Sequence, residues 1–207
     1  MGVVWSWTGG SQKGLGCPSG MAPVSFSPRA EEKIAARKTA VQSWYVDVKL
    51  LLKKWGGDRS YHHTAPISMI YALREGLRII QEEGLEARFA RHLRNHHALK
   101  TGLEALGLSY TAREGNQLPQ LNAVHIPDGI QDLDVRKKLL EDFSIEVGGG
   151  LGAFKGKAWR IGLLGYNSRP GVVMQFLGAR EQCLVAQGHK AEPGSGVAAA
   201  NEYYVRN

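Results

Sequence analysis

Apolar residues change their spacing near residue 107, which divides the chain into a mostly helical first half and an alternating second half. Val3 to Trp7 is a β-branched and aromatic run with the pattern of a strand, and it leads into the flexible stretch Gly10 to Cys17. Ser27, Pro28 and Glu31-Glu32 are the marks of a helix start: a hydroxyl cap, a proline at the first position and acidic groups near the positive end of the dipole. A second helix is expected after Ser43, with Val48, Leu51, Leu52 and Trp55 on one stripe and Gly56-Gly57 as its stop. A third pattern, 66–83, turns Ile67, Ile70, Leu73, Leu77 and Ile80 inward, and Leu85, Phe89, Leu93, Leu99, Leu103 and Leu106 continue as a long helix ended by Gly107. Beyond it the spacing predicts a strand over 118–126, a turn at Pro127-Asp128-Gly129 and a helix over 133–143. Strands at 145–147 and 159–163 and a helix over 172–185 follow. From Ala186 onward small and polar residues predict a loosely ordered tail.

Bulk properties narrow the function classes. With 207 residues, 43% hydrophobic and 22% charged, the chain has an ordinary globular composition. No apolar run reaches the roughly 18 to 20 residues of a membrane-spanning helix, and the N-terminus lacks the basic and apolar regions of a signal peptide, so a cytoplasmic protein without membrane partners is expected. Cys17 and Cys183 stand far apart and read as free thiols. A net charge of +7 attracts anions, but no nucleic-acid-binding signature accompanies it, and nucleic acid is not an expected partner. Arg88, Arg91 and Arg94 read as a solvated helix face. His92 and His96 are four apart but have no third ligand in a motif, so no metal is expected.

Four stretches carry possible chemistry. Lys13 sits among small residues in Gly10-Ser11-Gln12-Lys13-Gly14-Leu15; it is either a solvated loop charge or an amine nucleophile able to form a Schiff base. Tyr61-His62-His63-Thr64-Ala65-Pro66 precedes a helix and is either an ordinary cap or an anion site. Gly148 to Gly152 lets backbone approach another group closely. Arg160 lies inside an apolar strand, where its guanidinium fork requires a carboxylate, structural or substrate-borne.

Taken in order, these motifs resemble the alanine–glyoxylate (serine–pyruvate) aminotransferases, class V of the fold-type I enzymes that use pyridoxal 5′-phosphate. The residues concerned are Gly10-Ser11-Gln12-Lys13, Cys17-Pro18-Ser19-Gly20-Met21-Ala22-Pro23, Tyr61 to Pro66, Gly149-Gly150-Leu151-Gly152, and Arg160-Ile161-Gly162-Leu163-Leu164-Gly165-Tyr166-Asn167. The resemblance implies that Lys13 holds the cofactor as a Schiff base and shuttles the proton between substrate and cofactor. It implies that Gln12 binds the cofactor phosphate, and that Tyr61 and Thr64 reach the phosphate of the neighbouring subunit in a homodimer. Arg160 then grips the substrate α-carboxylate. The implied reaction moves an amino group from alanine or serine to glyoxylate or pyruvate; other class V donors, an aminophosphonate or hydroxykynurenine, and a catalytically dead oligomerisation or binding module are the alternatives.

Pro18-Ser19-Gly20 stands where the family usually has Pro-Pro-Gly, a change that removes no reacting group. The family's phosphate-binding turn, its ring stacked on the cofactor and its aspartate at the pyridine nitrogen all precede the lysine and have no counterpart here. The chain therefore reads as the α/β C-terminal part of a fold-type I transferase, weak or inactive alone. On this reading 1–83 is a remnant of the large cofactor-binding domain, 84–107 an interdomain helix, 108–187 a complete small α/β domain and 188–207 the tail.

Overall fold

The computed structural model describes residues 6–57 and 59–207, and these form two compact units, divided between Arg78 and Ile79. In the first, β1 (Ser6–Thr8) pairs antiparallel with β2 (Val24–Phe26). The strand expected over Val3 to Trp7 begins outside the described residues. Helix α1 (Pro28–Ala36) starts as its sequence requires, the Ser27 hydroxyl accepting from the Ala30 amide. In α2 (Val48–Trp55) the Asp47 carboxylate accepts from the Lys49 amide, and Gly56 ends the helix. Helix α3 (Ile67–Glu83) begins in the first unit and ends in the second.

The second unit is built on α4 (Leu85–Ala105) and a three-stranded antiparallel sheet ordered β3 (Leu121–His125), β5 (Ala158–Gly162), β4 (Gly148–Gly149). Period-2 alternation on β5 sends Trp159 and Ile161 into the core, where they meet Leu99, Leu103, Val124, Val173 and Leu177. Arg160, between them, faces the other side. Helices α5 (Asp132–Phe143) and α6 (Pro170–Val185) pack against each other and complete the unit with α7 (Ser195–Arg206). The loosely ordered tail expected from composition is instead this last helix, which packs on α4 and buries Ala200 completely. Small residues there permit close helix approach rather than disorder. No helix among the described residues is long and apolar enough to cross a membrane.

Two apolar stripes do not go where periodicity sends them. No residue of α3 is buried, and Ile67, Tyr71 and Leu77 stand exposed. On the first half of α4, Leu85, Phe89 and Leu93 are exposed, while Arg88, His92, Asn95 and His96 are buried. The buried polar face is held by partners distant in sequence. Glu83 accepts from Arg88 Nη1 at 2.9 Å and Arg91 Nε at 2.5 Å, and Arg91 Nη1 donates onward to the Gly165 and Ser168 carbonyls. Asn95 donates to the Ser168 hydroxyl at 3.2 Å and accepts from Tyr204 at 2.7 Å, and His96 meets Asn122 at 2.6 Å.

This network carries a pH dependence. The hydrogen bond from Arg91, opposed by burial and reinforced by Arg88, holds the Glu83 carboxyl at about 2 against an ordinary 4.5. A depressed carboxyl stabilises the fold above the unfolded-state value, and that contribution is lost as pH falls from about 4.5 toward about 2. Its size is on the order of 3 kcal/mol. Urea midpoints at pH 7 and pH 3 should therefore converge in Glu83→Gln, which lacks this part of the acid loss; an unchanged pH profile would remove the network from the account.

Candidate functional site

The loop around Lys13 is closed at its neck by Ser11, which is completely buried. The Ser11 hydroxyl donates to the Pro18 carbonyl at 2.6 Å and accepts from the Met21 amide at 3.4 Å. On its backbone, Ser11 donates to the Met21 carbonyl at 3.0 Å and accepts from the Cys17 amide at 3.0 Å. A further bond from the Gly16 amide to the Lys13 carbonyl, 2.9 Å, tightens the turn. Lys13 therefore sits at the tip of a pinned loop with an exposed side chain, and its ammonium has no hydrogen bond or ion pair among the described residues. Gln12 is exposed beside it, its amide folded back over Gly10, where a Cβ would lie 2.6 Å from Oε1.

Tyr61 and Thr64 come together: their hydroxyls lie 3.3 Å apart, both residues are exposed, and Tyr61 keeps 81% of its surface. Two histidines fix this turn from behind. His62 is buried, stacked on Trp44 with ring centroids 4.2 Å apart, and its Nε2 meets the Trp44 carbonyl at 3.0 Å; its Nδ1 lies 2.8 Å from that of His63. Desolvation, then the adjacent Lys54 and His62, lowers the His63 pKa, which favours its neutral form. Lys54 donates to the His63 carbonyl and lies 5.7 Å from the Tyr61 ring centroid, which brings a cation beside the hydroxyl pair. No hydrogen bond among the described residues joins Lys13 or Gln12 to Tyr61 or Thr64.

Arg160 belongs to the second unit. Its Nε donates to the Gly149 carbonyl at 2.8 Å, and its guanidinium lies over Gly148, where a Cβ would stand 2.9 Å from Nη2. No carboxylate among the described residues forms an ion pair with it. Among the described residues neither terminal nitrogen makes a hydrogen bond, which leaves both facing any carboxylate brought from outside them. Beneath it, Trp159 donates from Nε1 to Asp132 at 2.9 Å and carries the Arg180 guanidinium 3.3 Å from its ring centroid. Arg180 is fully buried, with no hydrogen-bond acceptor among the described residues, and burial lowers its pKa. A solved structure of the ureidoglycine–glyoxylate aminotransferase of Bacillus subtilis superimposes with a TM-score of 0.93 at 40% identity, covering 97% of this chain and 52% of that one.

Along nearly its whole length the chain is similar to aminotransferases named for glyoxylate. In sequence it is 38% identical over 214 residues to the (S)-ureidoglycine–glyoxylate transaminase of B. subtilis, covering 95% of this chain and 51% of that protein. A solved alanine–glyoxylate aminotransferase from Nostoc sp. is 49% identical, with a TM-score of 0.83 over 86% of this chain and 48% of that one. No protein-family profile matches the chain. It spans about half the length of the relatives it matches.

Family motifs direct attention to Lys13, Gln12, Tyr61, Thr64 and Arg160, but Ser11, Lys54 and the Asp132–Trp159–Arg180 group escaped sequence reading. Ser11 alone had a signal, its place inside the lysine motif. The others depend on contacts between residues far apart in the chain.

Proposed function

We propose that this chain carries the amine and carboxylate-binding parts of a pyridoxal-phosphate-dependent aminotransferase that moves an amino group from alanine or serine to glyoxylate or pyruvate. The observation that carries this reading is Lys13, an exposed amine with no partner among the described residues, at the tip of a loop whose neck is fixed by buried Ser11. Glyoxylate as acceptor is supported by the names of the ureidoglycine and alanine transaminases, which share it. When bound, pyridoxal 5′-phosphate supplies the electron sink that makes the Cα proton of an amino acid labile. Lys13 would hold that cofactor and, once its amine is set free by the incoming amino acid, would accept the Cα proton and give it back to the carbon where the amino group leaves. Gln12 presents an amide to the phosphate. The Tyr61 and Thr64 hydroxyls, with Lys54 beside them, suit the phosphate bound by the partner of a homodimer. Arg160 offers its free fork to the α-carboxylate, and Gly148 keeps a side chain out of its way.

The isolated chain is weak or inactive on the same reading, which is supported by its half-length match and by an α3 that buries none of its residues. Cofactor added to the 207-residue chain should give a visible absorbance that changes slowly with alanine or serine, with little glycine formed from glyoxylate. Turnover equal to that of a full-length relative contradicts the weak-fragment reading. A response to an aminophosphonate or hydroxykynurenine, with none to alanine or serine, replaces the donor.

A further inference from the structure

One of the places where the Lys13 loop meets helix α3 is a missing side chain. Cys17, at the far end of the loop, is buried, and its Sγ lies 3.5 Å from the Ala72 carbonyl and 3.6 Å from that of Leu15. One turn along α3 from Ala72 is Gly76, in the helix interior, where glycine weakens a helix. A Cβ at Gly76 would stand 2.3 Å from Cys17 Sγ and 3.1 Å from the Leu15 carbonyl oxygen. The first distance is far inside contact range and is set by a short, buried side chain with little freedom to turn away. The glycine is thus a notch, and the Cys17 thiol is the knob that fills it.

From the knob to the lysine the path is short and rigid. The Cys17 amide is bonded to the Ser11 carbonyl at 3.0 Å, and the Gly16 amide to the Lys13 carbonyl at 2.9 Å. Moving Cys17 off α3 must therefore either break these bonds or carry Gly16 and Lys13 with it.

We propose that Gly76 and Cys17 are positioning residues: the notch-and-knob contact between them sets where the loop holds Lys13. The inference rests on the reading of Lys13 as the amine that takes the cofactor. It makes an unusual demand on one substitution, because Gly→Ala inside a helix ordinarily stabilises it, whereas here it should displace the lysine loop while leaving the helix intact.

The test compares the 207-residue wild type, Gly76→Ala, Cys17→Ala and the double variant. Two readouts are taken: the rate at which pyridoxal 5′-phosphate with borohydride labels Lys13, followed by peptide mass, and amide hydrogen exchange at Gly16 and Cys17. Gly76→Ala should label at least about tenfold more slowly, since small misplacements of a reacting group carry large rate costs. Its Gly16 and Cys17 amides should exchange faster at unchanged helix content. Cys17→Ala, which removes the knob but no backbone bond, should label a few-fold more slowly than wild type and exchange faster at Gly16 and Cys17, by less than Gly76→Ala, and the double variant should recover to that same level, the signature of a coupled pair. A wild-type rate and wild-type exchange in Gly76→Ala overturn the proposal. So does a double variant as impaired as Gly76→Ala, because the defect would then not come from the thiol. If the wild type takes no label at Lys13, the cofactor reading of that lysine fails, and exchange at Gly16 and Cys17 still decides whether the contact sets the loop. Should Gly76→Ala lose helix content, Gly76→Ser with Cys17→Ala replaces it, with recovery of both readouts required.

Discussion

Lys13→Ala lowers the rate of the amino-donor-induced spectral change by roughly 10² to 10⁴-fold, the span of a positioned proton-transfer group, and abolishes borohydride-trapped cofactor at this position. Its effect on folding is small. The side chain is exposed and makes no bond among the described residues, and the loop is held by Ser11 through backbone and hydroxyl bonds that alanine at 13 does not touch. Substitutions of that kind usually shift stability by within about 0.5 kcal/mol. Stopped-flow absorbance with alanine as donor measures the loss, and circular dichroism checks the fold. Wild-type spectral kinetics in Lys13→Ala would show that the amine is a solvated loop charge.

Arg160→Met produces the second large effect, confined to carboxylate binding. Its guanidinium has one internal bond, to the Gly149 carbonyl, and no ion pair among the described residues. Removing it should therefore cost the fold only about 1 kcal/mol. A carboxylate deprived of its charge-assisted fork loses on the order of 3 kcal/mol, a little over a hundredfold in the donor concentration for half-maximal response. Arg160→Lys should fall between, since it keeps the charge and loses the planar fork. An amine lacking a carboxylate should react equally with wild type and Arg160→Met. Equal loss with both compounds would mean that Arg160 acts through folding instead.

Sequence and structure agree most where chemistry is local. Ser27 with Pro28 starts a helix because hydroxyl, ring and dipole act within one turn, and the apolar run expected as a strand over 159–163 is β5, Ala158–Gly162. Agreement weakens where burial depends on distant partners. Periodicity sends Phe89 and Leu93 inward, yet in the first half of that helix Arg88 and Asn95 are buried, because Glu83, Ser168 and Tyr204 satisfy polar groups that apolar spacing does not reveal. Composition made the last twenty residues a tail; their small side chains instead let α7 settle on α4. At the candidate site, sequence supplied the residue types through family motifs, while the free fork of Arg160, the Ser11 neck and the Gly76 notch emerge only from coordinates.

The central claim is that Lys13 is the amine that accepts pyridoxal 5′-phosphate. Its most direct test is to incubate the 207-residue chain with stoichiometric cofactor, reduce with borohydride, digest and locate the pyridoxyl group by mass. One dominant modified peptide is expected, carrying the group on Lys13. Label scattered over the surface lysines in proportion to their exposure, with Lys13 no more reactive than Lys38 or Lys53, would contradict it.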